Sequence, residues 1–264
     1  MENRLTIPEI CNKKNLSKIV MLTCYTAQMA KILDNHVDIL LVGDSLGMTI
    51  YGHDNTLSVT TRMMIDHGKC VVNNSKKALV VVDMPFGTYE ADKFKAFDTA
   101  SKILSNTNAT AIKLEGGLEI ANTIDFLVTR GIPVMGHVGL MPQKINLVGK
   151  FKSVGKNKAE ENKILNDAKA VSDAGAFSLI LEAMKSELGK KITMSVKIPC
   201  IGIGAGKYCD GQILVVDDLL GLYKNFTPRF VKKYSDLNNI INKSVEKYSK
   251  EVRNLKFPTS KHSY

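Results

Sequence analysis

The sequence contains no tryptophan, and aromatic residues make up only 6% of it. Its five cysteines, Cys11, Cys24, Cys70, Cys200 and Cys209, include no C-x-x-C pair. An odd set without paired spacing predicts neither a disulfide framework nor a zinc knuckle, so these read as reduced thiols. No apolar run approaches the roughly 20 residues that span a bilayer. The opening residues, MENRLTIPEICNKKNLSK, lack the apolar core of a secretory signal, which makes the cytoplasm the expected compartment. Linkers, low-complexity blocks and long repeats are missing too. A chain that is 44% hydrophobic and 23% charged is neither disordered nor collagen-like.

The charge is lopsided, with 36 Lys and Arg against 26 Asp and Glu, a net +10. The excess is mostly lysine, spread along the chain with no basic–aromatic stripe. It reads as a solvated surface and not as a nucleic-acid face.

What recurs is a short β-branched run, a loop with Gly or Asp, and then a longer amphipathic stretch. The apolar runs are Ile19–Thr23, Asp38–Val42, Ala78–Val82, Ala111–Leu114, Pro133–Gly136, Phe177–Leu181, Cys200–Ile203 and Gln212–Val216. Helical patterns over Lys93–Ser105, Leu118–Arg130 and Lys158–Ala174 separate several of them. This order predicts parallel strands joined by crossover helices. A chain of 264 residues suits a (β/α)₈ barrel, which typically takes about 250. The expected organisation is therefore one α/β domain over 1–264, a single (β/α)₈ TIM barrel with an N-terminal extension and C-terminal helices. An open doubly wound sheet competes; the barrel is favoured because polar residues close nearly every run.

Those strand ends carry the chemistry. The second run closes in Gly43-Asp44-Ser45, the third in Asp83, and the fourth in Lys113-Leu114-Glu115. The fifth closes near His137, the sixth at Glu182, and the seventh in the IGIGAG loop, Ile201–Gly206. Barrel enzymes build their sites at this rim. Asp44, Asp83 and Glu115 supply three hard oxygen ligands of the kind Mg²⁺ favours. Lys113 is either a Schiff-base amine or a fixed cation; carboxylates around it would keep it protonated, which favours the cation. Glu182, flanked by Leu181 and Ala183 and expected across the barrel, has the apolar setting of a general base. His53 and His137 fall near the rim, His67 in a helix, and His36 and His262 on the surface. The glycines of IGIGAG fit either a phosphate cradle or a tight turn. The segment Gly139–Asn157 lacks periodicity and reads as a lid or binding loop.

Val42-Gly43-Asp44-Ser45-Leu46-Gly47-Met48 and Tyr51-Gly52-His53-Asp54-Asn55-Thr56 open a series of motifs in which the chain resembles the ketopantoate hydroxymethyltransferase family. The series continues through Asp83-Met84-Pro85-Phe86, Lys113–Gly117 and Gly136–Gln143. It closes with Glu182, IGIGAG, Cys209–Gln212 and Pro228–Lys232. The resemblance implies a Mg²⁺-dependent barrel enzyme of pantothenate biosynthesis, a homo-oligomer and commonly a decamer. Its reaction moves a hydroxymethyl group from 5,10-methylenetetrahydrofolate to 3-methyl-2-oxobutanoate, through a Mg-stabilised enolate, and gives 2-dehydropantoate and tetrahydrofolate. By matching motifs, Asp44, Asp83 and Glu115 take the metal positions, and Asp44, Ser45, Asp83 and Lys113 the oxo-acid site. Glu182 matches the proton acceptor, and His137 a rim histidine near the substrate.

The chain departs from the family pattern at Cys24 and Thr26, where Ala and Asp are usual. It departs again at Lys150 and Phe151, at Ser153–Lys156 including Val154, and at Asp217, expected on the eighth strand where a His is common. These positions bear on folate contacts and the loop, not on the reaction class. Two alternatives remain at this level: a Mg²⁺–enolate barrel of the phosphoenolpyruvate mutase and isocitrate lyase type, and an inactive barrel kept for assembly. The former usually carries a Cys on a mobile loop, and Gly139–Asn157 has none.

Overall fold

The structure, a computed structural model, describes residues 4–150, 152–223 and 227–264. Eight parallel strands close into a barrel in sequential order. They are β1 (Ile19–Thr23), β2 (Ile39–Val42), β3 (Leu79–Asp83), β4 (Ala111–Glu115), β5 (Val134–Gly139), β6 (Ser178–Glu182), β7 (Cys200–Ile203) and β8 (Gly211–Leu214). β1 pairs with both β2 and β8, which closes the sheet. The chain divides into two compact units, residues 1–215, which hold the barrel, and residues 216–264.

The barrel forms because alternate strand residues point inward and are apolar except at the top. Met21, Ile39, Leu41, Leu79, Val81, Ala111, Met135, Ile180, Ile201 and Ile213 make one interior cluster. Following the same alternation, Val81 leads to Asp83 and Met135 to His137, while Lys113 leads to Glu115 and Ile180 to Glu182. The rim's polar layer is thus the next step of the pleat that builds the core. The helix Ile7–Asn12 seals the other end, with Ile10 fully buried in that cluster and Leu5, Ile7 and Cys11 packed against it. Beside it, Lys14 meets Asp210 at 2.9 Å, and the same carboxylate oxygen accepts the Cys200 amide at 2.9 Å.

The helical pattern runs close to its expected bounds, as Lys93–Thr107 and Lys158–Asp173. Asp92 and Asn157 cap these helices by accepting from their first-turn amides. Leu118–Arg130 instead divides into a 3₁₀ turn, Leu118–Ile120, and a helix, Ala121–Val128. Two expectations need correction. The segment after β5 is not irregular throughout: it contains a 3₁₀ turn, Pro142–Lys144, and a helical turn, Ile145–Val148. The eighth strand ends at Leu214, and Asp217 lies in the helix Val216–Leu220, not on a strand. Paired Asp217 and Asp218 in a first turn complement a helix N-terminus, which a strand end does not offer.

Residues 216–264 contain that helix, the helix Leu237–Arg253 and a 3₁₀ turn, Ser260–His262. Within this unit Asn238 donates its side-chain amide to the Leu222 carbonyl at 2.8 Å, and Tyr248 meets Phe257 edge-on. Among the described residues no helix is long and apolar enough to cross a membrane.

Candidate active site

Strand register brings the predicted residues together. Asp83 pairs with Lys113, Glu115 with His137, and Gly139 with Glu182 across consecutive strands. Asp44 follows β2, and its backbone amide donates to Asp83 Oδ2 at 3.0 Å. Asp44, Asp83, Lys113, Glu115 and His137 are all buried, each at most 4% exposed. Charged groups so placed are mostly hydrogen-bonded or paired, and here they pair with one another.

Lys113 Nζ lies 3.3 Å from Asp83 Oδ2 and 3.8 Å from Glu115 Oε1. Burial alone would pull this ammonium down, but Asp83, Glu115 and Asp44 more than reverse it and hold the pKa above its usual value. Burial also pushes Asp83 up, to about 7, against the attraction of Lys113. Burial likewise holds Glu115 well above its ordinary value, again opposed by Lys113. Three buried carboxylates thus crowd one lysine, and the raised Asp83 and Glu115 show that their negative charge is costly without a further cation.

His137 links this group to Glu182. Its Nδ1 lies 3.5 Å from Lys113 Nζ and 3.6 Å from Glu115 Oε1, while its Nε2 lies 3.2 Å from Glu182 Oε2. Burial lowers the imidazole below its ordinary value, with Glu182 pulling the other way. A neutral ring suits both contacts, since an ammonium only donates and therefore calls for a lone pair on Nδ1. Glu182 is the less buried partner, its side chain 15% exposed. The expectation that Glu182 stands among apolar neighbours alone is thus replaced by a histidine–glutamate pair. The Glu182 carbonyl accepts from Leu140 N at 3.0 Å. Gly139 makes this approach possible: its φ is +105°, and a Cβ there would sit 2.4 Å from the Glu182 carbonyl oxygen.

Ser45 lies half-buried at the same rim and shares a 2.8 Å hydrogen bond with Tyr25. His53 is separate from this cluster's contacts, and its Nδ1 is buried with no hydrogen-bond partner among the described residues. His67 joins the Tyr25 carbonyl at 2.7 Å and the Tyr51 hydroxyl at 3.2 Å. In the IGIGAG loop, a Cβ on Gly206 would strike Ser186, at the start of the helix Ser186–Ser195. The segment after β5 is docked behind Glu182, with Val154 N donating to Ala183 O at 2.8 Å and Lys185 Nζ to Lys156 O at 3.0 Å. Phe151 lies outside the described residues.

Three residues escaped the sequence reading of the site: Tyr25, Tyr89 and Gln143. Gln143 Nε2 donates to Asp44 Oδ2 at 2.8 Å and to the Met84 carbonyl at 2.9 Å, and its backbone amide donates to Glu115 Oε2 at 3.1 Å. The Tyr89 hydroxyl donates to Gln143 Oε1 at 2.6 Å and accepts from Glu115 N at 3.0 Å. Residue type does not mark a loop Gln or Tyr as part of a carboxylate site; the one signal for Gln143 is its place at the end of the Gly136–Gln143 motif.

The donor set fits a hard divalent cation. Its donors are carboxylate oxygens, and Asp83 Oδ1 is buried with no hydrogen-bond partner among the described residues. Among those residues no group of three or more His, Cys, Asp or Glu side chains is arranged to hold a metal ion. Mg²⁺ needs no such group, since it retains waters and takes one or two carboxylates plus substrate oxygens.

The fold has low-identity relatives among solved structures. A phosphonopyruvate hydrolase matches with a TM-score of 0.63 at 10% identity, covering 97% of this chain and 93% of that one. A 2,3-dimethylmalate lyase of the PEP mutase/isocitrate lyase superfamily matches at 0.59 and 14%, covering 98% and 92%. At such identity the likeness is one of fold. Sequence relatives are much nearer. The 3-methyl-2-oxobutanoate hydroxymethyltransferase of Rhodospirillum centenum (strain ATCC 51521 / SW) is 51% identical over 261 residues, 99% of this chain and 95% of that protein. The enzyme of the same name from Sinorhizobium medicae (strain WSM419) is 51% identical over 263 residues, 100% and 96% of the two chains. The sequence profile of ketopantoate hydroxymethyltransferase matches residues 4–260. With half of its residues shared over its full length, the chain is a hydroxymethyltransferase and belongs to the ketopantoate hydroxymethyltransferase family.

Proposed function

We propose that the chain transfers a hydroxymethyl group from 5,10-methylenetetrahydrofolate to 3-methyl-2-oxobutanoate, giving 2-dehydropantoate and tetrahydrofolate in pantothenate biosynthesis. The observation that carries this reading is the buried Asp44–Asp83–Lys113–Glu115 group joined through His137 to Glu182. It offers a charged end for a 2-oxo acid and a carboxylate beside it for proton removal.

Asp44, Asp83 and Glu115 would hold Mg²⁺. When bound, the ion supplies a Lewis acid for the negative charge that develops on the substrate's keto oxygen. Lys113, kept protonated by its carboxylates, attracts the anionic substrate and orients its carboxylate, with Ser45 as a further hydrogen-bonding group. Glu182 accepts the C3 proton, and neutral His137 fixes the direction of its carboxylate. The electron pair left at C3 forms the new carbon–carbon bond to the methylene carbon of the folate after that carbon's bond to N10 has opened, with N10 taking up a proton, so that the carbon stays attached through N5. Hydrolysis then frees tetrahydrofolate and leaves the hydroxymethyl group.

The same reading places the enzyme in the cytoplasm as a homo-oligomer, with a decamer as the state to test by light scattering. The five thiols are unpaired, and Cys24, Cys200 and Cys209 are buried, which suits a reducing compartment. The decisive experiment is an assay of tetrahydrofolate release from methylenetetrahydrofolate with and without 3-methyl-2-oxobutanoate. Release that needs the oxo acid supports the reading; release indifferent to it, or none, defeats it.

A further inference from the structure

Gln143 is only 4% exposed, yet every polar group of its side chain and its backbone amide is directed at the rim of the barrel. A buried amide whose only task is packing has no need to touch two carboxylates. The orientation of this one is fixed by hydrogen-bond logic. The Tyr89 hydroxyl accepts the Glu115 amide, so its own proton is free for Gln143 Oε1. On the other side Asp44 Oδ2 and the Met84 carbonyl can only accept, so they require Nε2. A flipped amide would set one oxygen against two others.

The backbone contributes separately. Gln143 lies in a 3₁₀ turn opened by Pro142, and a first-turn amide has no partner within such a turn. Here it points at Glu115 Oε2, and the adjacent Lys144–Glu119 pair ties the same turn to the segment after β4. One residue therefore holds one oxygen of Asp44 and one of Glu115, carboxylates that come from different strands.

We propose that Gln143, oriented by Tyr89, is a positioning residue for the cation-binding carboxylates. It holds Asp44 Oδ2 and Glu115 Oε2 in hydrogen bonds, which sets how both carboxylates face a divalent cation. This rests on the cation reading given above. Hydrogen-bond partners of metal ligands typically carry about 10–100-fold of metal affinity.

The test is a Mn²⁺ titration of the purified full chain, followed by electron paramagnetic resonance, without substrates. Gln143→Ala should weaken Mn²⁺ binding by about 10–100-fold. Tyr89→Phe removes only the hydroxyl that sets the amide, and should weaken binding by a smaller factor while broadening the bound Mn²⁺ spectrum. If Gln143→Ala does not fold, Tyr89→Phe decides. A lowered unfolding temperature with unchanged Mn²⁺ affinity and line shape would reduce both residues to packing and overturn the proposal. A wild-type chain that binds no Mn²⁺ would instead overturn the cation reading itself, and the proposal with it.

Discussion

His137 Nε2 lies 3.2 Å from Glu182 Oε2, joining β5 to β6 at the barrel rim. The pair couples the proposed base to the buried charges of β4, because His137 Nδ1 faces Lys113 and Glu115.

Glu182→Gln keeps the shape and removes the base. It should bind the oxo acid nearly as the wild type does, while C3 proton exchange into D₂O falls by about 10²–10⁴-fold. His137→Leu leaves the base but frees its direction. His137 Nε2 lies 3.2 Å from the carboxylate without the alignment of a hydrogen bond. The loss is therefore at the low end for a charged contact, about 1.5 kcal/mol, and exchange should fall by about 10-fold. Exchange followed by NMR needs no folate. Wild-type exchange in Glu182→Gln would remove it as the base.

Lys113 is expected to act as an ammonium throughout. Its carboxylate neighbours keep the proton on, and a protonated amine forms no imine. Borohydride added with the oxo acid should leave the protein's mass unchanged. A reduced adduct at Lys113 would place the enzyme in the Schiff-base class.

Asp83 contacts Lys113 and the Asp44 amide through Oδ2, while its Oδ1 is without a partner among the described residues. Asp83→Ala should therefore weaken divalent-cation and oxo-acid binding together. Calorimetry of the oxo acid with and without EDTA reads both. An affinity indifferent to chelator and substitution would refute joint binding.

Gly139→Ala tests the backbone behind the base. Its φ of +105° and the 2.4 Å approach to the Glu182 carbonyl leave no room for a methyl group. Strain and overpacking should cost about 1–3 kcal/mol in denaturant unfolding. Proton exchange should fall as well, because the Glu182 backbone must shift. Wild-type stability would show that this approach is not required.

The strand pattern was legible because the inward-facing series of β3 and β4 begin apolar and turn polar towards the rim. Leu79-x-Val81-x-Asp83 and Ala111-x-Lys113-x-Glu115 display both the core and the site in one alternation. The eighth strand was read two residues long because Val215-Val216 continues the apolar run. The acidic pair after it starts a helix instead.

The sequence by itself determined the eight-fold strand–helix order, the residues that close the strands and the family, since these are properties of order along the chain. Only the tertiary structure decided who meets whom. Parallel pairing in this register set β5 against β6 and gave Glu182 a histidine partner that lies 45 residues away in sequence by the numbering of the pair. Closing the sheet also carried Gln143 from the segment after β5 to Asp44 after β2. Such contacts depend on register and barrel closure, and a polar loop residue carries no local signal of the carboxylate it will hold.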